Sequence, residues 1–185
     1  MGCLAGGSGT GEVKFEGACA GWVVVERWGR MRYTYKQSKN LLHQTIPVAL
    51  GTDGVCSNNS ADLFETMKTT ALVQKMLNND PCLLPARQVL EMATQAGLAS
   101  QGRAGEAGML RCGMDADLIL LDFTQPHLIP CHNVLSNLVY SASGHDVVMT
   151  MVRGQILYNA GKFPTLDLAG ALKELHDYAI PKVFS

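Results

Sequence analysis

The stretch Ile46–Asn59, I-P-V-A-L-G-T-D-G-V-C-S-N-N, holds the clearest candidate for chemistry in the chain. Asp53 stands in Gly51-Thr52-Asp53-Gly54, directly after the apolar run Val48–Leu50. A carboxylate is anionic, hard and able to accept a proton, so it suits cation binding and acid–base work. Flanking glycines let backbone and ligand approach closely. The apolar run reads as a short buried strand, and the C-terminal ends of strands are where α/β folds place their sites. The same residues also read as a strand entering an ordinary Gly-Asp turn, and this stretch alone leaves both readings open. Ser57 and Asn58 follow in the adjoining loop, and helix-entry loops are commonly rich in Ser and Asn for capping alone.

Other reactive side chains form no pattern. The six cysteines, Cys3, Cys19, Cys56, Cys82, Cys112 and Cys131, are scattered, without a C-x-x-C pair. Zinc sites of the structural type show close ligand pairs, so free thiols in a reducing cytosol are expected. His127 and His132 fall in a proline-bearing loop and are expected to pack there or face solvent. The cluster Gly6-Gly7-Ser8-Gly9-Thr10-Gly11 invites a phosphate loop, but Glu12 stands where a Walker lysine belongs and G-x-G-x-x-G spacing is absent. A flexible Gly/Ser segment is the better reading.

The 185 residues are 47% hydrophobic and 17% charged, enough apolar material for a core. A formal net charge of −1 gives no basic footprint for nucleic acid. No apolar run reaches the roughly 18 residues of a membrane span, and Met1–Gly11 lacks the n- and h-regions of a signal peptide. A cytoplasmic location is expected. Residues 1–45 stand apart, with both tryptophans, eight of the 19 glycines and a balance of +3. They read as a Gly-rich, basic, poorly ordered leader in which Trp22–Glu26 can form one strand and Arg27–Lys39 a solvated arm.

From Ile46 the pattern is regular. Ser60 is expected to cap a helix over Ala61–Asn78, with Leu63, Phe64, Met67, Ala71, Leu72 and Met76 inward and Lys75 solvated. Asn79-Asp80-Pro81 ends it. A second helix begins with Pro85, runs to Ala96 with Val89, Leu90, Ala93 and Ala96 inward, and stops at Gly97. Leu118–Leu121 reads as a strand buried on both faces, and Val134–Ser141 as a short helix or strand. Val147–Tyr158 reads as a hairpin turning at Arg153-Gly154 and closed by Asn159-Ala160-Gly161. Leu168, Leu172, Leu175 and Ala179 mark an amphipathic C-terminal helix.

Taken in order, V-A-L-G-T-D-G, S-N-N and D-L-F-E-T-M-K-T-T-A-L-V-Q-K resemble the late part of the metal-dependent amidohydrolase superfamily. The branch most similar is that of S-adenosylhomocysteine/5-methylthioadenosine deaminases and triazine chlorohydrolases. L-P-A-R-Q-V-L-E-M-A-T, G-E-A-G-M-L-R-C-G-M-D-A-D-L-I-L-L-D, Q-P-H-L-I-P-C-H-N, V-Y-S-A-S-G-H-D-V and V-R-G-Q-I-L-Y-N-A-G-K-F continue the resemblance to the C-terminus. It implies an α/β fold: the C-terminal end of a (β/α)8 barrel in residues 46–108, part of a small β-sandwich in 109–165, and a C-terminal helix in 166–185, the barrel being incomplete. It implies hydrolysis of a C–N bond, deamination of a purine nucleoside-like or related heterocycle by water activated on Zn²⁺ or Fe²⁺. On the resemblance Asp53 falls on the position of the carboxylate that binds the metal and shuttles the proton, and Ser57 and Asn58 in the adjoining loop are implied to line the substrate pocket.

The family's H-x-H pair has no counterpart among His43, His127, His132, His145 and His176. Lone Asp53 cannot hold a catalytic metal. The chain is therefore expected to be a partial copy, inactive and metal-poor alone, with self-association through exposed barrel edges and no membrane partner. A truncated product, a shifted frame or a degenerate paralogue each fits. The alternative is a non-catalytic α+β module for folding or interaction.

Overall fold

The computed structural model describes Trp22–Val24 and Val48–Phe184, without the side chains of the first segment or of Cys56 and Ser57. The Gly6–Gly11 cluster, the basic arm Arg27–Lys39 and His43 lie outside the described residues. Two compact units are present. One takes the described residues up to Met114 together with Phe123–Asp146, and the other takes Asp115–Asp122 with Val147 onward.

In the first unit, strand β1 (Trp22–Val24) pairs antiparallel with β2 (Val48–Leu50), Val23 opposite Ala49. All three β2 residues are buried, as a continuous apolar run at a strand position requires. Four helices follow: α1 (Val55–Asn58), α2 (Leu63–Asn78), α3 (Ala86–Ala93) and α4 (Gln95–Ser100). Helices α2, α3 and α4 all pack on β2. Helix α5 (Val134–Tyr140), capped by the Asn133 side chain, packs against α2 and α3.

Several helical expectations change here. The cap of α2 is Asp62, whose Oδ1 accepts from Phe64 N at 2.8 Å, and Ser60 stands two residues upstream, its Oγ accepting from Asp62 N. An aspartate is at least as good a cap, and it also favours the positive end of the helix. Phe64, Met67 and Ala71 are buried as expected, with Thr66, Thr70 and Gln74 beside them. Thr70 satisfies its hydroxyl by donating to Thr66 O at 2.7 Å. Leu72 and Met76, expected inward, are exposed, Met76 by 72%. The buried face is rotated toward the threonines, whose hydroxyls bond within their own helix and so permit burial at little cost. Lys75 is not a solvated side chain: its Nζ donates to the carbonyl oxygens of Leu83 and of Leu84, the latter at 2.8 Å. Asn79 ends α2 in the left-handed conformation at φ 49°.

Pro85 precedes the first turn of α3. Val89 and Met92 are its buried residues, whereas Leu90, Ala93 and Ala96 are only half-buried. The helix stops at Thr94, not Gly97; Thr94 breaks the path at φ −120°, ψ −87°, and Gly97 lies inside α4. Glycine terminates a helix by adopting a left-handed φ, and Gly97 has no such φ.

The second unit is an antiparallel sheet, β3 (Leu118–Leu121), β4 (Val147–Val152) and β5 (Gln155–Asn159), in that order. The hairpin turns at Arg153 and Gly154, φ 48° and 79°, and closes at Ala160 and Gly161, φ 46° and 82°. Paired left-handed residues give the turn whose twist matches antiparallel strands. Arg153 is held there by its N–H on Asp117 at 2.7 Å and its guanidinium on Asp115 at 3.3 Å. The expectation that Leu118–Leu121 is buried on both faces fails: Ile119 is 46% and Leu120 54% exposed. An edge strand with one neighbour covers neither face by itself. The C-terminal segment is helical in three pieces, α6 (Leu168–Glu174), a π-helical turn (Leu175–Ala179) and α7 (Ile180–Phe184).

Candidate functional site

Asp53 sits three residues past the end of buried β2, half-buried, with Gly54 exposed beside it. Its φ is 58°, in the left-handed region that aspartate tolerates because its short side chain can bond the adjacent backbone. That bond is present: Oδ1 accepts from Gly54 N at 2.7 Å. Thr52 Oγ1 donates to Asp53 O at 3.1 Å. The strand fixes one side of Asp53 and helix α1 the other. Gly54 is the N-cap residue of α1, and Asn58 N donates back to Gly54 O at 3.0 Å. A non-glycine residue held in this region of backbone space is a cost of the kind that clusters at functional positions.

The loop beyond is locally satisfied. Asn58 Nδ2 donates to Ser60 O at 3.3 Å, and Asn59 closes α1 at φ 61° with its N–H on Val55 O. The side chain of Ser57 lies outside the described residues. Asn58 is therefore engaged within its own loop.

Among the described residues no three His, Cys, Asp or Glu side chains gather where they could hold a metal ion. A catalytic divalent ion takes about three protein donors. Asp53, with one oxygen already on Gly54 N–H, does not fit such an ion by itself.

A second polar centre lies in the same unit, and the sequence pattern did not show it. Asp146 is only 4% exposed. It accepts from Ser143 N at 2.8 Å and Ser143 Oγ at 3.1 Å. His127 Nε2 lies 3.1 Å from the same carboxylate, so His127 has an acidic partner after all. Burial pushes the Asp146 carboxyl up, but the Ser143 N–H, the His127 ring, the Ser143 hydroxyl and the charge of the imidazolium together hold it below its ordinary 3.8. The two residues are nineteen apart in the chain, which no spacing rule connects. His127 comes from the 3₁₀ turn Pro126–Leu128 and Asp146 from the turn Gly144–Asp146.

Residues 32–157 match the amidohydrolase family. The 5'-deoxyadenosine deaminase of Methanosarcina mazei is 49% identical over 134 residues, 72% of this chain and 31% of that protein. The 5-methylthioadenosine/S-adenosylhomocysteine deaminase of Moorella thermoacetica is 46% identical over 129 residues, 70% of this chain and 30% of that protein. The chain thus spans about a third of the length of the curated relatives it matches. Among solved structures, a zinc-bound adenosine deaminase from Xanthomonas campestris superposes with a TM-score of 0.73 at 30% identity, over 76% of this chain and 32% of that one. The zinc complex of atrazine chlorohydrolase TrzN from Arthrobacter aurescens shares the fold, with a TM-score of 0.67 at 24% identity over 73% of this chain and 30% of that one. With a family match over most of its length and an α/β fold that superposes on part of these enzymes, the chain belongs to the amidohydrolase family.

Proposed function

We propose that this chain is part of a hydrolase that deaminates an adenosine-like nucleoside, and that Asp53 is the carboxylate it brings to the reacting centre. In such a reaction water adds to the ring carbon bearing the amino group, the C–N bond breaks and ammonia leaves. Asp53 accepts the proton from the attacking water and returns it to the departing nitrogen. The observation that carries this reading is the place of Asp53, at the C-terminal end of a buried strand and fixed in a left-handed conformation. The names of the most similar relatives, deaminases of 5'-deoxyadenosine and of 5-methylthioadenosine/S-adenosylhomocysteine, support the substrate class. Ser57 and Asn58, in the loop beside Asp53, are the substrate-lining candidates.

Because the described donors do not fit a divalent ion, the 185-residue chain assayed alone is expected to hold no stoichiometric zinc and to release no ammonia from 5'-deoxyadenosine. Grafted in place of the matching third of the M. mazei enzyme, the 134-residue segment is expected to restore both. A graft that folds and never deaminates contradicts the proposal.

A second reading, a non-catalytic interaction module, is favoured by uncovered apolar side chains: Ile119 and Leu120 on β3, and Leu168, Leu172 and Leu175 near the C-terminus. Such surface promotes association of the chain with itself or another polypeptide. A monodisperse monomer at micromolar concentration in size-exclusion chromatography counts against it. The exposed free thiols Cys82, Cys112 and Cys131 support a reducing, cytoplasmic setting.

A further inference from the structure

We infer that Asp62 is a positioning residue for Asp53, an inference that rests on the functional reading above. Its two carboxylate oxygens do different things. Oδ1 accepts from Phe64 N at 2.8 Å and caps α2. Oδ2 accepts from Gly144 N at 2.8 Å, across 82 residues of chain. A Cβ at position 144 would lie 3.3 Å from Oδ2, so glycine gives Asp62 its close approach.

The bond to Gly144 reaches Asp53 through a continuous set of local contacts. Asp62 N donates to Ser60 Oγ at 3.2 Å, and Ser60 O accepts from Asn58 Nδ2. Asn58 N donates to Gly54 O, and Gly54 N donates to Asp53. The loop 51–62 is therefore held at its start by buried β2 and at its end by Asp62. The anchor is itself braced, because the turn bearing Gly144 is tied by Ser143 and His127 to buried Asp146. A residue needed only as a helix cap would use one oxygen and would have no reason to reach position 144.

The two roles separate in Asp62→Asn. Asparagine caps as well as aspartate, but its amide NH₂ would then face the Gly144 N–H, donor against donor. In the full 185-residue chain, amide hydrogen exchange of Asp62→Asn should quicken about tenfold or more at Gly144, Asn58 and Asn59, while Phe64 keeps its protection. Unchanged exchange at Asn58 and Asn59 overturns the inference, since Asp62 would then be a cap with an incidental neighbour. In the active graft, Asp62→Asn should lower kcat about tenfold or more with KM within about twofold, as misplacement of a reacting group does. A kcat equal to that of the unsubstituted graft also overturns it. A graft inactive without any substitution counts against the deaminase reading alone, and the exchange result still decides the role of Asp62.

Discussion

Asp146 shows how much a single buried carboxylate is asked to do. Three donors converge on it, and their pull outweighs its burial. A carboxyl held below its ordinary value in the folded state stabilises that state at pH above the ordinary value. The contribution disappears as pH falls through the depressed value, because the protonated form gives up its charged acceptor. Acid unfolding of the first unit is therefore expected to steepen below about pH 4, and Asp146→Ala should flatten that limb. At neutral pH the same substitution takes the shared acceptor from the half-buried Ser143 N–H and hydroxyl, a loss of about 1 kcal/mol by denaturant titration. An unaltered acid limb in Asp146→Ala would show that other carboxylates govern it. Asp53 was legible in the sequence because a carboxylate between glycines after an apolar run is a local pattern. The Asp146–His127 pair was not, since their meeting depends on two turns brought together by the packing of α5, and no periodicity encodes that.

At the scale of elements, most boundaries were readable and most burial was not. Proline, Asn79 and the Arg153-Gly154 turn act through their own backbone preferences, so their effects were local and visible. Which face of α2 turns inward is a tertiary matter. Threonines that bond their own helix compete well with Leu72 and Met76 for the buried side, and only the neighbouring helices decide the contest. The exposure of Ile119 and Leu120 is likewise set by what lies across the sheet, not by the strand's composition. Gly97 offers a test of the revised helix boundary. It lies within α4, carries no left-handed φ, and a Cβ there would meet nothing within 4 Å. Gly97→Ala is expected to stabilise the chain by about 0.5–1 kcal/mol, by removing freedom from the unfolded state. Destabilisation of similar size would restore Gly97 as a left-handed terminator.

At the scale of the whole molecule, the family is legible in the sequence because V-A-L-G-T-D-G and the motifs after it follow one another in a set order. The match over residues 32–157 and the superposition on a zinc-bound adenosine deaminase agree with that reading. The metal environment is a different matter. A metal site is a meeting of side chains from several strands, and the described residues supply Asp53 without a cluster around it. On the function proposed above, Asp53 is one member of a catalytic group, with β2 on one side of its loop and Asp62 on the other. The most direct measurement is ammonia release from 5'-deoxyadenosine by the graft carrying Asp53→Asn, beside the unsubstituted graft. Loss of at least about a hundredfold in kcat, in the range that a proton-transfer group contributes, with the fold intact by circular dichroism is the expected result. Undiminished turnover by the Asp53→Asn graft would contradict the assignment of Asp53 and with it the central claim.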